Sequence, residues 1–270
     1  MTDHLLRAQA PISDSTWAVI DDEARSRLTA QLAARKLVDF AGPHGWEHSA
    51  TPLGRTLSVD APLEGLIARQ RAVLPLVELR APFTLRRAEL EAVDRGARDP
   101  DLEALDRATR DLALAENHAV FQGYGAAGIV GLAEATSHDE LSLADDADAY
   151  PSVVARAVDA LRRAGVGGPY GIALAPEHYT RIVETTEHGG YPLLNHLEEI
   201  LGGGPVVWAP GAGCSVVVSQ RGGDFEFESG QDIAIGYHHH DGDSVTLYLE
   251  ESFSFRVLEP DAVVALRASA

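Results

Sequence analysis

The sequence of 270 residues is poor in cysteine and has no long apolar run. Its one cysteine, Cys214, excludes an internal disulfide and any metal site built from several cysteines. No apolar run approaches the roughly 18 residues that a membrane-spanning helix needs. The first fifteen residues, MTDHLLRAQAPISDS, hold no apolar core long enough for a secretion signal. From these absences we expect a cytoplasmic protein without a membrane partner.

Positive charge is also scarce. The chain has 22 basic and 41 acidic residues, which give a formal net charge of −19. Nucleic-acid binding requires clustered Lys and Arg, so we expect no nucleic-acid partner. An acidic solvated surface explains the charge, and its field would also attract small cations such as iron.

The motifs of common catalytic sites are missing or misplaced. There is no nucleophile elbow, P-loop or H-E-x-x-H. Residues 123–128, GYGAAG, match the dinucleotide pattern but follow a predicted helix, which favours a helix end and a turn. Residues 238–240, three histidines followed by Asp241, could ligate a metal, but in a turn they favour solvated residues. Cys214 lies among apolar strand residues and is predicted to be a buried structural thiol.

Two amphipathic helices are predicted before residue 130. In residues 13–35, apolar residues recur at intervals of three and four and share one face. They are Trp17, Ile20, Ala24, Leu28 and Leu32. Residues 99–122 are predicted to form the longest helix, with Asp99 as N-cap and Pro100 in the first helical position. Its predicted buried stripe consists of Leu102, Leu105, Ala108, Leu112, Ala115 and Ala119.

The segment from 43 to 85 differs from its surroundings because it contains prolines and glycines without a helical pattern. Residues 55–59 and 66–85 are predicted to be extended. A two-stranded arm is marginally stable on its own in water, and its open edges invite pairing with another chain. The sequence therefore predicts an arm that needs a partner.

The second half of the chain is predicted to hold two different kinds of structure. Residues 131–220 alternate helix and strand, with prolines opening helices and glycines closing them, so we expect an inserted second domain with its own core. Residues 221–260 alternate apolar and polar side chains between turns, as half-buried strands do. In the most regular of these strands, Val245, Leu247 and Leu249 share one face.

Several motifs in collinear order resemble encapsulins of the linocin-M18-like first family, the shell proteins of bacterial nanocompartments. They are LVD at 37–39, GP at 42–43, LRAPFTL at 79–85, GPY at 168–170, GGYP at 189–192, RGGDF at 221–225, GQD at 230–232, IGY at 235–237 and ESFSF at 251–255. The motifs span nearly the whole chain, so the resemblance is more specific than any one of them.

The resemblance implies an α+β fold of the HK97 phage-capsid type and a structural role instead of catalysis. Copies of the chain would form a closed icosahedral shell, of the smallest (T=1) kind, around a ferritin-like or peroxidase cargo enzyme. The implied divisions are an N-terminal helix and arm (1–42), an E-loop (43–85), a P-domain (86–130 and 222–270) and an A-domain (131–221).

A second hypothesis is a cytosolic α+β enzyme, such as a hydrolase, whose active site is assembled from distant residues. Sizing separates the two, because a shell elutes in the megadalton range and an enzyme as a small oligomer. We expect the subunit to bind no cofactor of its own. Some encapsulins resemble flavin binders through a Trp after the PFTL-like segment, and that position here is Ala88.

The resemblance also implies two sites. A targeting peptide of the cargo would dock on the inner shell face, between the N-terminal helix and the C-terminal sheet. Residue by residue, the positions expected to line that groove are Leu28, Arg35, Asp39, Asp232 and Ile233.

The polar loop between two predicted helices is similar to the loop that lines the five-fold pore of encapsulins. The pore residues would be Thr186, Glu187, His188, Gly189 and Gly190. A ring of Glu187 carboxylates would favour passing cations, and protonation of His188 would make the ring less welcoming to them. Small ions such as iron(II) are therefore expected to enter faster at neutral than at acidic pH.

Overall fold

A computed structural model of the chain describes residues 4–143, 146–186 and 190–268. Its helices are α1 (Asp14–Gln31), α2 (Arg87–Asp94), α3 (Glu103–Phe121), α4 (Leu132–Ala135), α5 (Tyr150–Arg163), α6 (Pro176–Glu184) and α7 (Leu193–Ile200). Its strands are β1 (Asp39–Ala41), β2 (Ala50–Val59), β3 (Ala68–Pro75), β4 (Val77–Arg86), β5 (Gly123–Tyr124), β6 (Ile129–Val130), β7 (Leu141–Leu143), β8 (Tyr170–Leu174), β9 (Val206–Trp208), β10 (Ser215–Ser219), β11 (Phe225–Ser229), β12 (Ala234–His240), β13 (Ser244–Val257) and β14 (Val263–Ala268). Within these described ranges, no helix is long and apolar enough to cross a membrane.

The first sheet is organised around the long strand β13. Strands β11 and β12 pair with one side of β13, β4 pairs with the other side, and β1 extends the sheet beyond β11. The helices α1 and α3 cover one face, where Trp17, Ile20, Leu105 and Leu247 are buried in a shared core. The alternation in residues 244–250 produces this core, because every second side chain of β13 faces the helices.

The second sheet has the order β7-β14-β10-β8-β9 and packs against α5, α6 and α7. Its buried residues belong to the same apolar cluster as Phe225, Phe227, Phe253 and Phe255 of the first sheet. The expected second domain, residues 131–220, thus shares its apolar cluster with part of the first sheet. The four phenylalanines extend across the junction and join the two sheets into one packed body.

The end of the chain crosses from one sheet to the other. Strand β14 pairs with β10, with Val264 opposite Val217, and with β7 on its other side. The resemblance, in contrast, implies that all of 222–270 belongs to the P-domain. Residues 263–266 are apolar on both faces and fully buried, which suits a central strand covered on both sides.

The projecting arm is shorter than the segment 43–85. Only β2 and β3 form the two-stranded arm, from Ala50 to Pro75. Strand β4 lies in the first sheet, where it pairs with β13 from Arg86 opposite Ser244 to Val77 opposite Phe253. The alternating apolar residues of β4, including Phe83 and Leu85, are buried, and this burial holds the strand in the body.

The longest helix begins later than predicted. It starts at Glu103 with Leu102 as its N-cap residue, and Asp99 does not cap it. Instead, Asp101 Oδ1 accepts a hydrogen bond from the Glu103 N–H at 3.2 Å. Ala115 is exposed, and the buried position one residue later is Glu116. Glu116 is four positions after Leu112, so the helical period places a carboxylate on the buried face.

Residues 238–240 do not form a turn. They continue β12, and His240 pairs with Val245 of β13 after a bulge. The turn is formed by residues 241–243, where Asp241 Oδ1 accepts hydrogen bonds from the backbone N–H of Asp243 and Ser244 at 2.8 Å and 2.7 Å. These bonds make Asp241 the first residue of the hairpin turn. The three histidines therefore lie in the strand that precedes the turn.

Candidate functional site

A groove of about 470 Å³ lies between α1 and the first residues of β12. Its apolar lining is formed by Ala24, Leu28, Leu32, Ile233, Ala234, Ile235 and Leu249. Its polar lining is formed by Arg7, Asp21, Arg25, Thr29, Arg35 and Asp232. An apolar floor with charged ends can hold a short peptide in one orientation.

Helix α1 is fixed at both ends. Ser13 caps its first turn, since the Ser13 side chain accepts a hydrogen bond from the Thr16 N–H at 3.2 Å. At the other end, Asn117 Oδ1 accepts hydrogen bonds from Ala33 N and Ala34 N at 2.9 Å and 3.1 Å. The Asn117 amide also donates to the carbonyls of Gln31 and Pro210 at 2.8 Å and 2.9 Å.

The buried Asn117 therefore satisfies all four of its hydrogen-bonding positions. It stops α1 at Gln31 and fixes the short 3-10 turn Ala34–Lys36 that follows. That turn directs Arg35 toward the groove and the sheet.

The Arg35 guanidinium binds three carboxylates, one from α3, one from β13 and one from the loop before β12. Its Nε donates to Glu116 Oε2 of α3 at 2.8 Å, and its Nη1 donates to Asp232 Oδ1 at 2.7 Å. Its Nη2 donates to Glu251 Oε2 of β13 at 3.1 Å. Arg35 thereby ties α3 and β13 to the groove lining at Asp232.

Negative charge exceeds positive charge in this cluster. Glu116 and Glu251 are almost fully buried, whereas the Asp232 side chain is 42% exposed. Burial, followed by repulsion from Glu116, raises the pKa of Glu251 well above its usual range. Burial alone would lower the pKa of Arg35, but Glu116, Glu251 and Asp232 outweigh it and raise that pKa. Arg35 is therefore always charged, and a proton on Glu251 reduces the repulsion between the two glutamates.

Of the five residues expected in the groove, the structure brings four together and places Asp39 elsewhere. Leu28 is buried in the floor, and Ile233 is partly buried beside it. Asp39 lies in β1, and its Oδ2 accepts a hydrogen bond from the Gly223 N–H at 2.6 Å. This contact fixes the glycine turn before β11, so Asp39 has a structural role outside the groove.

Only part of the predicted pore loop can be described. Thr186 forms an isolated antiparallel bridge with Pro192, and Gly190 adopts a positive φ of 80°. The other expected pore residues, Glu187, His188 and Gly189, lie outside the described residues. The bridge closes the base of the loop between α6 and α7.

Sequence patterns missed the charged residues that surround the groove. Arg7 lines one end, held by Asp21 at 2.7 Å and lying 4.0 Å from the Trp17 ring centroid. Glu116 and Glu251 complete the cluster at the other end. The alternation of β13 could have indicated that Glu251 is buried, because Glu251 follows Leu247 and Leu249 on the buried face of that strand.

The residues considered for other chemistry lie apart from the groove. His238 Nδ1 is 2.6 Å from His239 Nδ1, and His240 Nδ1 is 2.6 Å from the Tyr237 hydroxyl. Over residues 4–143, 146–186 and 190–268, no three His, Cys, Asp or Glu side chains are placed to hold a metal ion. Cys214 is buried as predicted, and burial raises the pKa of its thiol to about 11.

The fold is that of shell-forming capsid proteins. A structure described as a virus-like particle from Pyrococcus furiosus matches with a TM-score of 0.64 at 17% identity, over 93% of this chain and 99% of that chain. The structure of Gordonia phage Cozz matches with a TM-score of 0.53 at 14% identity, over 89% of this chain and 87% of that chain. The predicted HK97 phage-capsid-like α+β fold is thereby confirmed.

Sequence comparison identifies the family within this fold. Residues 1–254 match the Linocin_M18 family, described as an encapsulating protein for peroxidase. The type 1 encapsulin shell protein of Rhodospirillum rubrum is 50% identical over 269 residues, covering 97% of this chain and 96% of that protein. The chain belongs to the encapsulin shell-protein family. It is a self-assembling structural subunit and not an enzyme, which confirms the resemblance and sets aside the hydrolase hypothesis.

Proposed function

We propose that this shell subunit retains a cargo enzyme by binding a short peptide of that enzyme in the groove between α1 and β12. The observation that carries the proposal is the convergence of Leu28, Arg35, Asp232 and Ile233 on one apolar groove. A groove of this size suits a few extended residues, and charged groups at its ends can orient them. A peroxidase fits the description of the family, and a ferritin-like enzyme is the second cargo class that the sequence resemblance implies.

The test is a loading experiment with two variants of one residue. Ile233→Asp places a charge in the apolar floor and should produce intact but empty shells. Ile233→Val keeps the floor apolar and should load as the wild type does. The molar ratio of cargo to shell subunit, measured on purified particles, distinguishes them. Full loading of Ile233→Asp shells would contradict the proposal.

We further propose that the arm docks on a neighbouring copy in a closed T=1 icosahedral shell. Leu57, Leu66 and Ile67 of the arm are 59%, 58% and 87% exposed. Exposed apolar side chains on a two-stranded ribbon mark a surface that another chain covers. In this assignment the E-loop is residues 50–75 and the P-domain is built on the first sheet. The A-domain is built on the second sheet and includes β14.

The α6–α7 loop is proposed to surround the opening on the five-fold axis. The support is its sequence, Glu187 and His188 followed by two glycines, together with the Thr186–Pro192 bridge that closes its base. Such a ring would admit small cations to the enclosed enzyme.

We also propose that assembly takes place in the bacterial cytoplasm, where the single buried thiol stays reduced.

A further inference from the structure

The bulge in β12 lies between Tyr237 and His239. Tyr237 pairs with Leu247 of β13, and His239 pairs with the adjacent residue of β13, Thr246. The chain therefore advances by two residues on β12 and by one on β13, which makes His238 the extra residue. A bulge of this kind changes the face to which the side chains after it point.

This bulge places two adjacent histidines on the same face of the first sheet. Leu247 is buried in the core under α1 and α3, and Tyr237 packs against that core. Thr246 points to the opposite face, and so does its partner His239. His238 points there as well, because it directly follows Tyr237. In a regular strand these two histidines would point to opposite faces.

The side-chain contacts follow this arrangement. His238 Nδ1 lies 2.6 Å from His239 Nδ1, and the two ring centroids are 4.8 Å apart. On the face that carries Tyr237, the Tyr237 hydroxyl lies 2.6 Å from His240 Nδ1. Both His238 and His239 are exposed, so water and ions can reach their rings.

Two neutral imidazoles can approach this closely only when a hydrogen lies between their Nδ1 atoms. One ring of the His238–His239 pair then carries its hydrogen on Nδ1, and the other carries its hydrogen on Nε2 and accepts through Nδ1. If the first ring moves its hydrogen to Nε2, both Nδ1 lone pairs point into the same space. Lone pairs in that arrangement repel each other unless a cation lies between them.

The spacing of the two nitrogens is close to the spacing that a shared metal ion requires. An imidazole nitrogen binds a divalent ion at roughly 2.0–2.1 Å, so two such nitrogens about 90° apart lie roughly 2.9 Å from each other. The exposed rings reach this spacing by separating by about 0.3 Å. Within the described ranges no third His, Cys, Asp or Glu is placed to join them, so water would fill the other positions.

The charges near the pair favour a cation. The turn that follows carries two exposed carboxylates, Asp241 and Asp243, and β4 places one exposed guanidinium, that of Arg86, opposite Ser244. Hydrogen bonds from the backbone of Asp243 and Ser244 lower the pKa of Asp241, with a smaller contribution from His239. Asp241 is therefore ionised at neutral pH, and its negative charge lies two residues from His239.

We propose that His238 and His239 bind one late first-row transition-metal ion through their Nδ1 atoms. Copper(II) should bind more tightly than nickel(II) or zinc(II), which is the usual order for nitrogen ligands. Magnesium and calcium prefer oxygen ligands and should not compete. Binding releases no proton from the two rings, because one ring only moves its hydrogen from Nδ1 to Nε2. The site lies on the face of the first sheet opposite α1, so it is separate from the groove.

The first test counts the copper(II) ions bound by metal-free assembled shells in an excess of magnesium. Wild-type shells should bind one more ion per subunit than shells in which His238→Gln and His239→Gln are combined. Each single variant should weaken that ion by at least about tenfold, the smaller loss found when only a group that supports a ligand is removed. His240→Gln, whose ring contacts Tyr237 on the other face, should bind as the wild type does.

The outcomes of the count are distinct. Equal numbers of ions on wild-type and double-variant shells would overturn the proposal. An equal loss for His240→Gln would assign the ion to other residues and would also overturn it. All these substitutions are at exposed positions, and the particle size checks that each variant assembles.

The second test locates the ion by chemical modification of the wild-type shell. Diethyl pyrocarbonate reacts with a free imidazole lone pair, and peptide mass spectrometry identifies each modified histidine. With zinc(II) bound, Nδ1 holds the metal and Nε2 holds the hydrogen, so neither nitrogen can react. Zinc should slow modification at His238 and His239 but not at His118, which is exposed on α3. Equal slowing at all three histidines, or at none, would refute the site.

Discussion

Glu116 of α3 and Glu251 of β13 bind the same guanidinium nitrogen, lying 2.6 Å and 3.1 Å from Arg35 Nη2. Both carboxyl groups are buried, so one cation must offset two acids in a region that excludes water. The cluster joins the main helix, the central strand and the groove. Its protonation therefore affects both the stability of the subunit and the charge beside the proposed ligand.

Glu251→Gln should stabilise the subunit increasingly as the pH rises. The pKa of Glu251 is raised in the folded chain, so the unfolded chain ionises first, and wild-type stability falls as pH rises above about 4.5 toward the folded pKa. Glutamine is neutral at every pH and lacks this loss. We expect the gain in stability to grow steadily from pH 4.5 to pH 8 and to be small at pH 4.

The measurement for Glu251 is thermal unfolding of both proteins from pH 4 to pH 8. Glu226→Gln, which removes an acid from a half-exposed pair with Arg256, is the control and should lack this pH trend. A Glu251→Gln protein that loses stability as the pH rises, relative to the wild type, would contradict the prediction.

Asn117→Leu should lower the free energy of unfolding by about 3 kcal/mol. The substitution removes four hydrogen bonds and leaves the backbone groups of Gln31, Ala33, Ala34 and Pro210 buried without this partner. Its neighbour His118 is exposed, and His118→Ala should change stability by less than about 0.5 kcal/mol. Chemical denaturation of dissociated subunits compares the two, and equal midpoints would show that Asn117 is not essential to the end of α1.

Leu57→Asp should prevent shell assembly without unfolding the subunit. Leu57 lies on the apolar face of the arm opposite Gln70, whereas Ser58 lies on the other face opposite Arg69. If a neighbouring copy covers the apolar face, a charge at Leu57 is buried at every contact and one at Ser58 is not. Ser58→Asp is therefore the matched control. Light scattering should find megadalton particles for the control and small species for Leu57→Asp, and particles for both would refute the assigned face.

Glu187→Lys should slow the entry of iron(II) without disturbing assembly. Reversing the charge of a carboxylate ring raises the free energy of a passing cation. Stopped-flow oxidation of iron by an encapsulated ferritin-like enzyme measures entry, with Glu184→Lys as a control of equal charge change at the end of α6. Equal rates for wild type and Glu187→Lys would place ion traffic elsewhere. A slower wild-type rate at acidic than at neutral pH is also expected if His188 lies in the same ring.

The repeating patterns of the sequence predicted the elements well, because burial imposes periods of 3.6 and 2 residues locally. The helix predicted at 13–35 and the strands of 221–260 are present. The errors arose where a nearby contact changed a boundary. Asp101 bonds to the first turn of α3 and shifts its start past Asp99, and Asn117 ends α1 before Leu32.

The resemblance predicted more of the groove than any pattern could, although Asp39 contacts the Gly223 turn and is not among the residues that line the groove. Leu28, Arg35, Asp232 and Ile233 come from two separate stretches, 28–35 and 232–233, that converge only because α1 packs on the sheet that contains β12. The charge balance at Asp232 was not predictable in this way. It depends on Glu116 and Glu251. Local periodicity places each of them on a buried face, but it does not show that both bind Arg35.

By itself, the sequence determined the family, the mixed α+β class and the presence of an extended arm. These properties depend on composition, on collinear motifs and on periods that repeat within a few residues. Only the tertiary structure decided that β4 leaves the arm, that β14 enters the second sheet, and that Arg35 is shared by three carboxylates beside the groove. The physical reason is that strand partners and ion pairs join residues far apart in the chain, and their choice is set by what the assembled core can bury.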